Sequence, residues 1–155
     1  MGMDVTGIKN KDSYFRANVW SWRPIHAIID FVNEKYSLGI DTENFGFNDG
    51  GGIKDPALCV KLGECIRKEL DGLGLKESSD SIYLSLGSWC KYPDGNFIGL
   101  DESKSMGLNE YSGKVLLTPV AASDGTLVVP SHSTDREHIE EFCNFLNECG
   151  GFEIW

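Results

Sequence analysis

The chain is poor in basic residues, in histidine and in long apolar runs. Its 155 residues carry 14 Lys and Arg against 24 Asp and Glu, a net charge of −10. An acidic surface repels nucleic acid and anionic membranes, so duplex binding is not expected. The apolar stretches, such as Val115-Leu116-Leu117 and Leu127-Val128-Val129, fall far short of the ~20 residues that cross a bilayer. Met1-Gly2-Met3-Asp4 has no basic region and no apolar core, so a signal peptide is not expected. Internal repeats, low-complexity runs and linkers are missing, which points to one globular domain over residues 1–155.

Cys-x-x-Cys spacing is missing as well. An odd set of five cysteines (Cys59, Cys65, Cys90, Cys143 and Cys149) fits reduced thiols in a cytoplasmic setting. Cys65, Cys143 and Cys149 fall on apolar helix faces and read as small hydrophobes. None of the His and Cys spacings matches a common zinc pattern, so neither a metal nor a cofactor is expected. No Gly-Lys-Ser/Thr closes a phosphate loop, and no Gly-x-Ser-x-Gly marks a nucleophile elbow. The chain shows no legible catalytic set, and the reading leans away from an enzyme.

What is present is an α+β pattern: about three amphipathic helices and a small, mostly antiparallel sheet. Residues 3–8 read as a first strand with Met3 and Val5 inward. The segment Tyr14–Trp20 reads as extended. Pro24 suits the first turn of a helix, and Ile25, Ile28, Ile29, Val32 and Tyr36 follow at helical spacing, with Gly39 ending the region. Asp55 and Pro56 mark the start of a second helix, with Leu58, Leu62, Cys65, Ile66 and Glu69 or Leu70 on its buried face. Ile82, Leu84 and Leu86 alternate as a strand, and Pro93-Asp94-Gly95-Asn96 reads as a turn. Val115–Val120 and Thr126–Val129 read as a hairpin around Ser123-Asp124-Gly125. Thr134 with Glu137 forms a capping-box pattern before Ile139, Phe142, Cys143, Leu146 and Cys149. Gly150 suits a left-handed helix end, and Phe152–Trp155 reads as a terminal strand whose pairing, within the domain or with a second copy, stays open.

The segment from Tyr14 to His26 concentrates aromatic and guanidinium groups. In an extended segment Phe15, Ala17 and Val19 face one side, and Tyr14, Arg16, Asn18, Trp20 and Trp22 face the other. The first side suits a core. The second, closed by Arg23, suits a ligand that stacks on rings while a guanidinium holds its anionic group. A second candidate is the loop Asn48-Asp49-Gly50-Gly51-Gly52, where consecutive glycines let amides converge on an anion before a helix N-terminus.

Three pieces carry a resemblance: the start Met1-Gly2-Met3-Asp4-Val5, the run Tyr14–Pro24, and the close Phe145–Trp155 with its Cys149-Gly150-Gly151-Phe152-Glu153-Ile154-Trp155. Together with Asn48-Asp49-Gly50 they resemble a family of small uncharacterised bacteriophage and prophage proteins. The resemblance implies an intracellular phage or bacterial setting, in the cytoplasm of a host cell, with counter-defence as the expected context, and implies no activity. The expectation is a non-enzymatic binding protein for a small anionic ligand, such as a nucleotide, or for a host protein. Its site residues would be Tyr14, Arg16, Asn18, Trp20, Trp22, Arg23, Asn48, Asp49 and Gly50. One alternative is a small hydrolase or nucleotide-processing enzyme using Asp4, Asp49 and His26. Another is an inhibitor that presents its acidic surface to a basic protein.

Overall fold

The computed structural model describes residues 2–72, 81–84, 90–91, 97–98, 105, 120–121, 127–130 and 132–155. The chain divides into two compact units, Met1–Asp80 with Asp135–Trp155, and Ser81–Thr134. The first unit holds three helices and a four-stranded antiparallel sheet, which is the expected α+β class.

The sheet forms from four short segments: β1 (Gly2–Gly7), β2 (Tyr14–Asn18), β3 (Gly52–Ile53) and β10 (Phe152–Ile154), in the order β2-β1-β10-β3. β1 sets Asp4 against Arg16 and Thr6 against Tyr14, and on its other side Val5 against Ile154 and Thr6 against Glu153. The terminal strand is therefore paired on both sides, with Phe152 opposite Ile53. Side chains alternate faces along each strand. Met3, Val5, Phe15, Ala17, Ile53, Phe152 and Ile154 are buried on one face.

Helix α1 (Val19–Tyr36) begins directly after β2. This corrects two expectations: the extended segment stops at Asn18, and Pro24 lies inside the helix, past its first turn. Asn18 is the reason. Its backbone is extended (φ −70°, ψ 164°) and its side chain accepts the Ser21 N–H at 2.8 Å, satisfying an amide that has no partner within the helix. The early start also puts Trp22 on the stripe with Ile25, Ile29 and Val32, and that burial outweighs the hydrogen bond Pro24 cannot donate. At the other end Ser37, not Gly39, caps the helix in the left-handed conformation (φ 51°). Asn33 then holds Ile40 from both sides, accepting its N–H at 2.9 Å and donating to its carbonyl at 2.8 Å.

Helix α2 (Pro56–Gly72) starts as expected, with Asp55 accepting the Ala57 N–H at 2.9 Å. Its core residues are Cys59, Leu62, Cys65, Ile66 and Leu70. Leu58 is only half-buried and Cys59 takes its place in the core, while Leu62, Cys65, Ile66 and Leu70 are buried as expected. Helix α3 (Arg136–Glu148) buries Ile139, Phe142, Cys143, Phe145 and Leu146. Thr134 does not open it. That residue belongs to a strand, His132–Asp135, which runs up to the helix. Gly150 does take the left-handed conformation after the helix (φ 64°).

All three helices pack against strands of the sheet, α1 and α3 against β2 and α2 against β3. At the centre aromatic rings meet edge to face: Trp22 on Phe142 at 5.8 Å and 89°, and Phe142 on Phe152 at 6.3 Å and 74°. A 3-10 turn, Glu43–Gly46, contributes the buried Phe45, whose carbonyl accepts the Trp22 indole N–H at 2.6 Å. Between helices, Glu69 accepts the Tyr36 hydroxyl at 2.8 Å and pairs with Lys35 at 2.7 Å, tying α1 to α2. Arg67 donates to Asn144 at 2.6 Å, tying α2 to α3.

In the second unit β4 (Ser81–Leu84) pairs with β9 (His132–Asp135). Four short strands lie in the order β6-β5-β8-β7: β5 (Cys90–Lys91), β6 (Phe97–Ile98), β7 (Val120–Ala121) and β8 (Leu127–Pro130). β7 and β8 are antiparallel neighbours, as a hairpin requires, with Val120 opposite Val128. Leu86, the turn Pro93–Asn96, Val115–Pro119 and Ser123–Gly125 lie outside the described residues.

Candidate interaction surface

The second face of the sheet is assembled by register. Because opposite residues share a face, Tyr14 and Arg16 on β2 stand beside Thr6 and Asp4 on β1, and Glu153 stands beside Thr6 on the far side. The pairing continues one residue past β10: Trp155 and Asp4 exchange both backbone hydrogen bonds, at 2.7 and 2.8 Å. Arg16, Asp4 and Trp155 therefore form one row across three strands. Tyr14, Thr6 and Glu153 form the next.

Asp4 is the hub. Its carboxylate accepts the Tyr14 hydroxyl and lies 3.7 Å from the Arg16 guanidinium. The hydrogen bond to Asp4 raises the Tyr14 phenol above its ordinary range. Tyr14 and Trp155 are each 54% exposed, and the Arg16 side chain 69%. The Trp155 indole N–H donates to Glu153 at 3.3 Å, which fixes how its ring lies on the sheet.

The glycine loop reaches this surface from the opposite edge. Gly50 has φ 93°, its N–H donates to the Ile154 carbonyl at 2.8 Å, and the Ile154 N–H returns to Gly51 at 2.7 Å. This is a bulge with glycine at its left-handed position, two residues opposite one. A Cβ on Gly50 would stand 3.0 Å from the Trp155 ring, and one on Gly52 2.0 Å from the Phe152 carbonyl. Bulge geometry and close packing account for these glycines, and the Gly50 amide is spent on the sheet.

Three of the expected site residues thus act on structure. Trp22 is 1% exposed and cannot stack on a ligand, because the helix start turns it into the core. Asn18 is exposed but committed as the α1 cap, and Gly50 is committed to the bulge. Arg23, Asn48 and Asp49 are exposed on the helix and loop, outside the Arg16-Asp4-Trp155 row. The Trp20 side chain lies outside the described atoms. Tyr14 and Arg16 do stand together on the open face, joined by Glu153 and Trp155, which belong to neither expected site, and by Asp4, expected only in the hydrolase alternative. The signal for Asp4 was its strand parity. For Trp155 it was its place in the expected terminal strand Phe152–Trp155, where it shares the parity of Glu153.

The alternative constellation is not brought together. His26 lies on α1, which packs on the inner face of the sheet, with its Nε2 3.4 Å from Asp30 and its ring against Phe45. Asp4 lies on the opposite face. Among the described residues no group of three or more His, Cys, Asp or Glu is disposed to hold a metal ion. No described helix is long and apolar enough to cross a membrane. Comparison with protein-family models, with characterised proteins and with solved structures returns no match.

Proposed function

We propose that the chain is a non-enzymatic binding protein of phage type that engages a host protein through the outer face of its sheet. The carrying observation is that Tyr14, Arg16 and Trp155 are held exposed around one carboxylate, Asp4. Tyr, Trp and Arg are the residue types that dominate protein interface energetics. Holding them in place beforehand lowers the entropy lost on binding. The surface is built on paired strands, which fix the spacing of its side chains. Arg16 is the one cation within the four strands of this sheet, and Asp4 and Glu153 share its face, which disfavours a free phosphate. The resemblance of the chain ends to phage proteins supports a host partner and a counter-defence context.

The test is quantitative crosslinking in infected host cells with the wild-type chain and with a Y14A/W155A double variant. The reading expects a defined partner that the variant loses while remaining folded by circular dichroism. A partner retained in full by the variant overturns it. Calorimetry against mono-, di- and cyclic nucleotides runs alongside, and a saturable signal there replaces the protein-partner reading with a nucleotide-binding one. Because the chain carries a net charge of −10, association with a basic partner slows as salt is added.

A further inference from the structure

The four-stranded sheet ends in two edges, and they differ. One edge is β3, two residues long, bent by the Gly50-Gly51 bulge and followed closely by α2. Short strands and bulges are ways in which proteins keep an edge from pairing. The other edge is β2, five residues in unbroken register with β1, without proline, glycine or a bulge. Its backbone phase is fixed by its neighbours. Gly7 N–H donates to the Ser13 carbonyl at 2.9 Å, and Asp4 exchanges both of its backbone bonds with Trp155 rather than with Arg16. Antiparallel strands alternate hydrogen-bonded and non-hydrogen-bonded pairs. Phe15 and Ala17 therefore bond to β1, while the N–H and C=O groups of Tyr14 and Arg16 point out of the sheet. Among the described residues no backbone group meets them. Both residues are exposed, so these donors and acceptors form an accessible row.

We propose that β2 pairs with β2 of a second copy of this chain, antiparallel about a two-fold axis between the two Phe15 residues, joining two sheets into one. The register follows from phase and charge. Outward groups must meet outward groups, so a shift by one residue is excluded. Centring on Phe15 sets Tyr14 of each copy opposite Arg16 of the other as hydrogen-bonded pairs, and the two-fold makes the match occur twice. Opposite residues share a face, so each guanidinium stands beside a tyrosine ring of the second copy and Asp4 of its own chain. Moving the centre to Arg16 opposes two guanidinium groups, which is destabilising. Moving it to Tyr14 sets Arg16 against Asp12, beyond the end of the strand. Phe15 and Ala17 keep their buried places, because pairing uses only the edge. A net charge of −10 on each copy opposes association in general. Residues 1–18, however, carry Lys9, Lys11 and Arg16 against Asp4 and Asp12, so the copies approach through a stretch that is not acidic. Self-association needs no host protein, so its failure leaves the outer-face reading standing.

Sedimentation equilibrium of the purified full-length chain across micromolar concentrations should show twice the chain mass, falling to the single-chain mass on dilution. Amide exchange followed by NMR at both ends of that range locates the contact. The Phe15 and Ala17 amides should be protected throughout, since they serve β1, and the Tyr14 and Arg16 amides only as the dimer forms. R16P deletes an outward N–H and no bond of the sheet, and Phe15 before it is already extended as proline requires. It should give a folded monomer. Y14R sets like charges opposite one another and should weaken association by roughly tenfold. Y14R/R16Y restores the Tyr–Arg pairs in reverse order and should regain it. A single-chain mass at every concentration, a dimer that R16P leaves intact, or Tyr14 and Arg16 amides whose exchange ignores concentration overturns the proposal. So does a Y14R/R16Y chain that associates no better than Y14R. If R16P fails to fold, Y14R and its rescue decide, since they leave the backbone unchanged.

Discussion

The two faces of the four-stranded sheet come from the same strands and behave as different materials. β2 contributes Phe15 and Ala17 to one side, 5% and 3% exposed, and Tyr14 and Arg16 to the other, 54% exposed and 69% for the side chain. The inner face is closed by helices and an aromatic cluster. The outer face carries a hydrogen-bonded set around Asp4 that nothing in the apolar core requires. The difference separates two kinds of constraint. Inner residues are held by volume and by exclusion of water. Outer residues are held by register, and are free to be selected for what they touch.

The sharpest way to break that comparison is to treat the two tryptophans alike. Trp22 is 1% exposed, meets Phe142 edge to face and gives its N–H to the Phe45 carbonyl, so W22A should cost roughly 3–5 kcal/mol, a large fraction of a typical domain's stability. Trp155 is half-exposed, so W155A should cost far less, about 1 kcal/mol for the contact over Gly50. Urea denaturation of both variants measures the gap. Equal losses would mean that the outer face is a structural clasp.

The glycines sharpen the comparison at the sheet edge. At Gly52 a Cβ would sit 2.0 Å from the Phe152 carbonyl oxygen, and backbone cannot swing away as a side chain can. G52A should destabilise by roughly 1–3 kcal/mol. G39A meets no atom within 4 Å and bears only the left-handed penalty at φ 72°, about 1 kcal/mol. If the two substitutions cost the same in a melt, close packing is not what holds Gly52.

Much of the inner face was legible beforehand, and little of the outer. Apolar residues recurring every three or four positions placed Ile25, Ile29 and Val32, and Phe142, Cys143 and Leu146, in the core, because burial acts on each helix separately. Alternation separated Phe15 and Ala17 from Tyr14 and Arg16. The reading failed where two local signals competed. Pro24 announced a helix start, but Asn18 capped one earlier, and that shift buried Trp22. Thr134 and Glu137 resembled a capping box, but sheet pairing took Thr134 into a strand. The Arg16-Asp4-Trp155 row was illegible for a different reason. It depends on which strand pairs with which, and a single sequence does not encode that register in any local window.

Acid should act on the polar tie Lys35-Glu69-Tyr36, which joins α1 to α2. Burial pushes the Glu69 carboxyl up, but hydrogen bonds from Lys35 and Tyr36 outweigh it and leave the group below its ordinary range. A depressed carboxyl contributes stability above the unfolded value, about 4.3, and that contribution is lost as pH falls through the lower folded value. Because Lys35 is half-exposed, solvent screening keeps the contribution under about 1 kcal/mol. Denaturation midpoints of wild-type and E69Q proteins should converge as pH drops below 4. A gap that persists undiminished in acid would show that the carboxylate charge is not what ties α1 to α2.

The smallest effect on folding is expected where the effect on binding is largest. Arg16 is 69% exposed and stands 3.7 Å from a half-exposed Asp4, so R16A should change stability by no more than about 0.5 kcal/mol. Truncating it removes the face's guanidinium and leaves Asp4 with the Tyr14 hydroxyl alone, so affinity for the protein partner should fall tenfold or more. Y14F tests the same hub from the other side, keeping the ring and deleting only the bond to Asp4. Its loss should be smaller than that of R16A if the ring does the contacting, and comparable if Asp4 must be oriented. A destabilisation of R16A above 1 kcal/mol, with binding intact, would turn the comparison over: the outer face would then be a second structural layer, and the partner would have to bind elsewhere.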